Sequence, residues 1–151
     1  MTAALFAALF AALYAAHQVG DHWAQTTPQA LGKGRPGWPG RLACARHVAA
    51  LTGCKAAAVA AVVLVLGLPV SLPWLGAGMA LDAAAHYWAD RRFTLARLAR
   101  AAGREEFWGF GAPRSGHDDA PHLGTGAYAL DQSFHVAFLF LAALIAAGGA
   151  R

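Results

Sequence analysis

Charge is what this chain has least of. Only 13% of its 151 residues are Asp, Glu, Lys or Arg, against about 25% in an ordinary soluble domain. With 58% hydrophobic residues, that scarcity excludes a polar-surfaced globular protein and leaves a single membrane domain over residues 1–151. Cysteine is equally sparse: Cys44 and Cys54 stand ten residues apart on one predicted helix, roughly 15 Å by helical rise. Bridged Cα atoms must approach within about 7 Å, so a disulfide between them is excluded. The chain has no P-loop, no Rossmann glycine fingerprint and no Cys-x-x-Cys-His sequence, which speaks against nucleotide and covalent haem cofactors. It also has no motif for binding nucleic acid. No Lys or Arg precedes the first apolar run, so the basic start of a secretory signal is missing and the run is read as a retained helix.

A membrane span needs about 20 predominantly apolar residues. Four stretches qualify: residues 2–25, 41–68, 74–90 and 124–147, with Pro69 and Pro73 separating the second from the third. The expected fold is all-α, an integral membrane four-helix bundle. The segments 26–40 and 91–123 carry most of the Gly, Pro and charge and read as loops. Lys33, Arg35, Arg41 and Arg46 lie in or beside the first, and Arg91, Arg92, Arg97, Arg100, Arg104 and Arg114 in the third, while the turn at 69–73 has no basic residue. The positive-inside rule then places the first and third loops in the cytoplasm and both termini outside, in a multi-pass protein of the cell membrane. Arg91 to Arg104, interleaved with Phe93, Leu95 and Leu98, reads as a basic amphipathic extension of the third helix to about residue 102, lying on lipid headgroups.

What the apolar stretches do contain is a set of ionisable groups: His17, Asp21, His47, Asp82, His86, Asp131 and His135. Such residues are costly in lipid and by default are paired, metal-bound or facing a wet cavity. Three pairs, His17/Asp21, Asp82/His86 and Asp131/His135, are spaced i, i+4, which puts both side chains on one helix face. In the predicted topology all seven residues lie near the cytoplasmic boundary, so they are expected to share one metal site. Their nitrogen and oxygen donors suit zinc first, with manganese or iron as alternatives. Seven candidates exceed one tetrahedral ion, so either two metals share the site or some residues orient ligands or act as a general base; Asp21 and Asp131 are the candidate bases. For Asp82 a salt bridge to Lys55 is the competing role, and Lys55 itself reads as a counter-ion or part of a proton path. Asp90 reads as an interfacial ion-pair residue beside Arg91 and Arg92. Gln25 and Gln132 read as hydrogen-bond orienters, His22 as interfacial, Cys44 as a packing residue, Thr125 as the N-cap of the last helix, and His117, Asp118, Asp119 and His122 as a solvated loop.

His17-x3-Asp21 with Gln25, a lone His47, Asp82-x3-His86, and Asp131-Gln132-x2-His135 together resemble the bacterial integral-membrane family called domain of unknown function 3307. More remotely, the polar pairs on membrane helices are similar to those of inner-membrane metal-dependent hydrolases. The first expectation is therefore a metal-dependent hydrolase acting on a phospholipid or other amphiphilic ester. The rivals are a small proton or divalent-metal transporter subunit and a non-catalytic membrane protein.

Overall fold

Alanine and leucine, the strongest helix formers, fill the N-terminal segment and wind it into α1 (Thr2–Val19), which continues as one π turn over Gly20–Ala24. The computed structural model describes residues 2–113, 115 and 124–149, and every element among them is helical. After α1 come α2 (Thr27–Gly32), α3 (Gly37–Leu66), α4 (Leu72–Asp90), α5 (Phe93–Ala101), α6 (Glu105–Gly109) and α7 (Gly126–Gly148).

Three boundaries differ from the sequence expectation, each for a local reason. The segment 26–40, expected as loop, holds α2 and the start of α3. A capping box forms there, with Thr26 accepting from the Gln29 N–H and Gln29 Oε1 accepting from the Thr26 N–H, so two orphan donors are satisfied at once. Pro73 does not separate helices: it lies in the first turn of α4, where a missing N–H costs nothing. The break falls earlier, at Gly67, whose φ of 59° ends α3 in the left-handed region. The basic amphipathic stretch is not an extension of α4. The chain turns at Arg92, with φ 58°, and α5 begins as a separate helix.

The long helices pack in a closed ring, α7 against α4 and α1, α1 against α3, and α3 against α4. Half of this ring is filled by apolar residues, among them Leu5, Leu9, Leu13, Val59, Leu139 and Ala143. Small residues let backbones touch, as expected between membrane helices: a Cβ on Gly78 of α4 would lie 2.4 Å from the Ala142 carbonyl oxygen of α7. The stretches Thr2–Ala24, Gly37–Leu66 and Gly126–Gly148 are each long and apolar enough to cross a membrane, and Leu64 and Val65 remain 80% and 81% exposed. Both features fit a membrane protein. Helix α4 is not among the three, because its nineteen residues include Asp82, His86 and Asp90.

Candidate metal centre

The other half of the ring is polar. Four imidazoles meet there, one from each long helix: His17 on α1, His47 on α3, His86 on α4 and His135 on α7, none more than 2% exposed. Asp21 projects among them from the π turn, an element that recurs at functional sites because its extra residue re-aims side chains. The π turn lies close on α3, where a Cβ on Gly20 would fall on the Leu51 side chain.

The i, i+4 pairs on α1 and α7 form as the spacing requires: His17 Nε2 lies 3.6 Å from Asp21 Oδ2, and His135 Nε2 lies 3.5 Å from Asp131 Oδ1. On α4 the pair in the cluster is His86/Asp90 rather than Asp82/His86. Asp82, grouped with the ligands from the sequence, instead accepts a hydrogen bond from Lys55 Nζ at 2.6 Å, both side chains fully buried. It belongs to none of the donor groups found among the described residues. Asp90, expected to pair with Arg91 and Arg92 at the interface, is only 2% exposed and stands in the cluster. The cause is one further helical turn: Asp82, His86 and Asp90 form an i, i+4, i+8 ladder, and the cluster sits level with its last two members. Arg91 turns the other way and donates to the Lys33 and Arg35 carbonyls at 2.8 and 2.5 Å.

The donor geometry is specific. His47 Nε2, His86 Nε2 and Asp90 Oδ2 form a triangle with every edge 3.2 Å. Asp21 Oδ1 supplies a fourth corner, 3.0 Å from His47 Nε2 and 3.6 Å from His86 Nε2. A tetrahedral zinc ion with nitrogen and oxygen ligands at about 2.0–2.1 Å sets those ligands about 3.3–3.4 Å apart. Among the described residues, Asp21 Oδ1 and Asp90 Oδ2 are buried without a hydrogen-bond partner, because the nearby imidazole nitrogens stand at hydrogen-bonding distance but off its direction. Asp90 has Lys33 on its other oxygen, but a buried carboxylate oxygen left without a donor is costly; a cation held by these donors would remove the cost. These buried His and Asp groups could hold a metal ion.

Around this tetrahedron the supporting contacts are in place. The Gln25 side-chain amide nitrogen donates to His47 Nδ1 at 2.9 Å, which puts the ring proton on Nε2, facing the carboxylates. A metal on Nε2 would move the proton to Nδ1, and the amide, turned to present its oxygen, would then hold that tautomer and the ring orientation. Gln25→Leu is therefore expected to weaken zinc binding by about 10- to 100-fold while the protein stays folded, measured by competition with a chromophoric chelator. Lys33, expected in the first loop, places Nζ 2.8 Å from Asp90 Oδ1. No periodicity announces it, since its position depends on α2 and on Arg91 holding its carbonyl. Cys44 is buried, donates weakly to the Tyr87 carbonyl and joins no donor group among the described residues. His22 hydrogen-bonds the Gln18 carbonyl and the Tyr128 hydroxyl at the rim. Gln132 donates to Asp131 Oδ2 at 3.3 Å, and Thr125 caps α7 through the Tyr128 N–H. His117, Asp118, Asp119 and His122 lie outside the described residues.

A cleft of about 480 Å³ opens onto the cluster, lined by Asp21, Asp90 and Asp131 on its carboxylate side and by Lys33, Arg92 and Tyr128. Among the described residues, the ring beyond the centre is filled by the apolar core. No protein-family model, curated protein or solved structure matches the chain, so the functional reading rests on the geometry of these side chains.

Proposed function

We propose that the protein is a four-helix membrane bundle with both termini outside the cell membrane and its first and third loops in the cytoplasm, acting as a metal-dependent hydrolase of a phospholipid or other amphiphilic phosphoester. The observation that carries this reading is the triangle of His47, His86 and Asp90 with Asp21 against two of its corners, five separations of 3.0–3.6 Å close to the ligand spacing of one zinc ion. Four protein donors fill a tetrahedral zinc ion, so a reacting water would have to take a fifth position there; zinc would lower the pKa of that water toward about 7 and polarise the phosphoryl oxygen.

The chain's own residues supply the rest. Asp21 is committed to the tetrahedron. Asp131 is the carboxylate placed to take the proton, with a side chain 28% exposed and lining the cleft. Arg92 lines the same opening and Lys33 balances Asp90 there; with a divalent cation offsetting the remaining carboxylates, the opening would accept an anionic group. The resemblance to domain of unknown function 3307 supports a membrane setting but names no reaction.

The transporter reading needs polar residues on both sides of the bundle. Lys55 and Asp82 do continue the polar set toward the middle, but Leu5, Leu9, Val59 and Leu139 close the path beyond them. The test is turnover of a phosphomonoester, phosphodiester and phospholipid panel by zinc-loaded protein in nanodiscs. We expect phosphate or headgroup release that stops on chelation and falls about 10²- to 10⁴-fold in Asp131→Asn. A zinc-loaded, folded protein that cleaves nothing in the panel, and instead moves protons or zinc across proteoliposomes, would replace the hydrolase reading with the transporter.

A further inference from the structure

The tetrahedron uses only half of the cluster. His17 is completely buried, and among the described residues neither of its ring nitrogens has a hydrogen-bond partner; His135 Nε2 is in the same state. A buried imidazole normally binds a carbonyl, hydroxyl or carboxylate through at least one nitrogen. Both rings face carboxylate oxygens at longer range: His17 Nε2 lies 3.6 Å from Asp21 Oδ2, and His135 Nε2 lies 3.5 Å from Asp131 Oδ1. Each pair alone has the spacing of a ligand edge, and Asp131 and His135 also form a donor group with Asp90.

We infer that the centre takes two divalent ions, the second held by His17, His135 and Asp131, with Asp21 bridging the pair. The inference rests on the reading that the first tetrahedron binds metal. Asp21 is arranged to bridge, because Oδ1 faces His47 and His86 while Oδ2 faces His17. The two histidines assigned to different ions, His86 and His135, are stacked with ring centroids 3.9 Å apart and planes 22° from parallel. Ions in two-metal hydrolytic sites lie about 3.5–4 Å apart, so neighbouring stacked imidazoles can each serve one ion. Asp90 Oδ2 faces the first ion, while Oδ1 is held by Lys33 at 2.8 Å and lies 3.9 Å from His135 Nε2. Asp131 would ligate through Oδ1, with Oδ2 accepting from Gln132 at 3.3 Å at the cleft.

Manganese is the probe that reads both number and proximity. The full chain, purified in detergent and stripped with chelator, is loaded with Mn(II) by equilibrium dialysis and examined by electron paramagnetic resonance. The expected result is two ions per chain with a spin-coupled signal, and one ion with the hyperfine pattern of isolated Mn(II) in both Asp131→Asn and His17→Gln. Asp131 lies at the cleft and its replacement keeps the side-chain shape, so this variant decides the matter if the buried His17 change prevents folding. One ion in the wild type, or two ions left coupled by Asp131→Asn, would overturn the second site and leave the first intact. No manganese and no zinc in folded wild-type protein would overturn the first site as well.

Discussion

His86→Ala is expected to remove the metal ion held by the His47, His86, Asp90 and Asp21 donors. His86 is the one imidazole shared by the His47–His86–Asp90 donor group and the Asp21–His86–His135 group, so its loss removes a corner from each. Loss of an outer-shell partner costs about 10- to 100-fold in affinity, and loss of a ligand common to both groups should exceed that. Elemental analysis of detergent-purified protein checks it, with helix content from circular dichroism confirming the fold. The informative control is Asp82→Asn. Asp82 shares the i, i+4 spacing with His86 but bonds Lys55 instead, so this variant should retain its full metal content. If Asp82→Asn lost the metal while His86→Ala kept it, the donor set described above would be wrong.

Lys55→Met is expected to destabilise the fold by about 3–5 kcal/mol, the usual result of removing one partner from a buried ion pair. Lys55 is 1% exposed and its ammonium lies 2.6 Å from Asp82 Oδ2, so the variant leaves a carboxylate buried in the middle of the ring without its counter-ion. The double variant Lys55→Met/Asp82→Leu should recover most of that loss, because replacing both charges with apolar side chains of similar size is commonly neutral or better. Thermal unfolding of the three proteins in one detergent measures the coupling as a double-mutant cycle. A single variant as stable as the wild type would mean that water reaches Asp82. A double variant still as unstable as the single would give Lys55 a packing role through its aliphatic stem.

Much of the site could be read from spacing alone. His17/Asp21 and Asp131/His135 were legible because an i, i+4 pair on an apolar helix must share a face, and apolar surroundings make two neighbouring ionisable groups conspicuous. His47 was legible as a lone imidazole in a long apolar run. Asp90 was harder, although the ladder from Asp82 through His86 contains it. Its neighbours Arg91 and Arg92 offered obvious partners in sequence, whereas in the fold Arg91 is spent on two backbone carbonyls. Lys33 carried no signal at all: it precedes a Gly- and Pro-rich stretch, and only the folding of α2 back against α3 brings it to Asp90.

The sequence by itself determined the helical class, the apolar character of the spans and which side chains are too polar to be left alone among them. Each of these follows from local composition and the 3.6-residue period. Tertiary structure decided which of those polar residues meet. The rotation and stagger of each helix come from packing across the ring, including the Gly78 contact with Ala142 and the π turn at Gly20, and a shift of one turn exchanges Asp82 for Asp90 as the partner of the four histidines. Periodicity assigns a residue to a face but not to a height along a neighbouring helix, and it is that height, about 5.4 Å per turn, on which the donor distances depend.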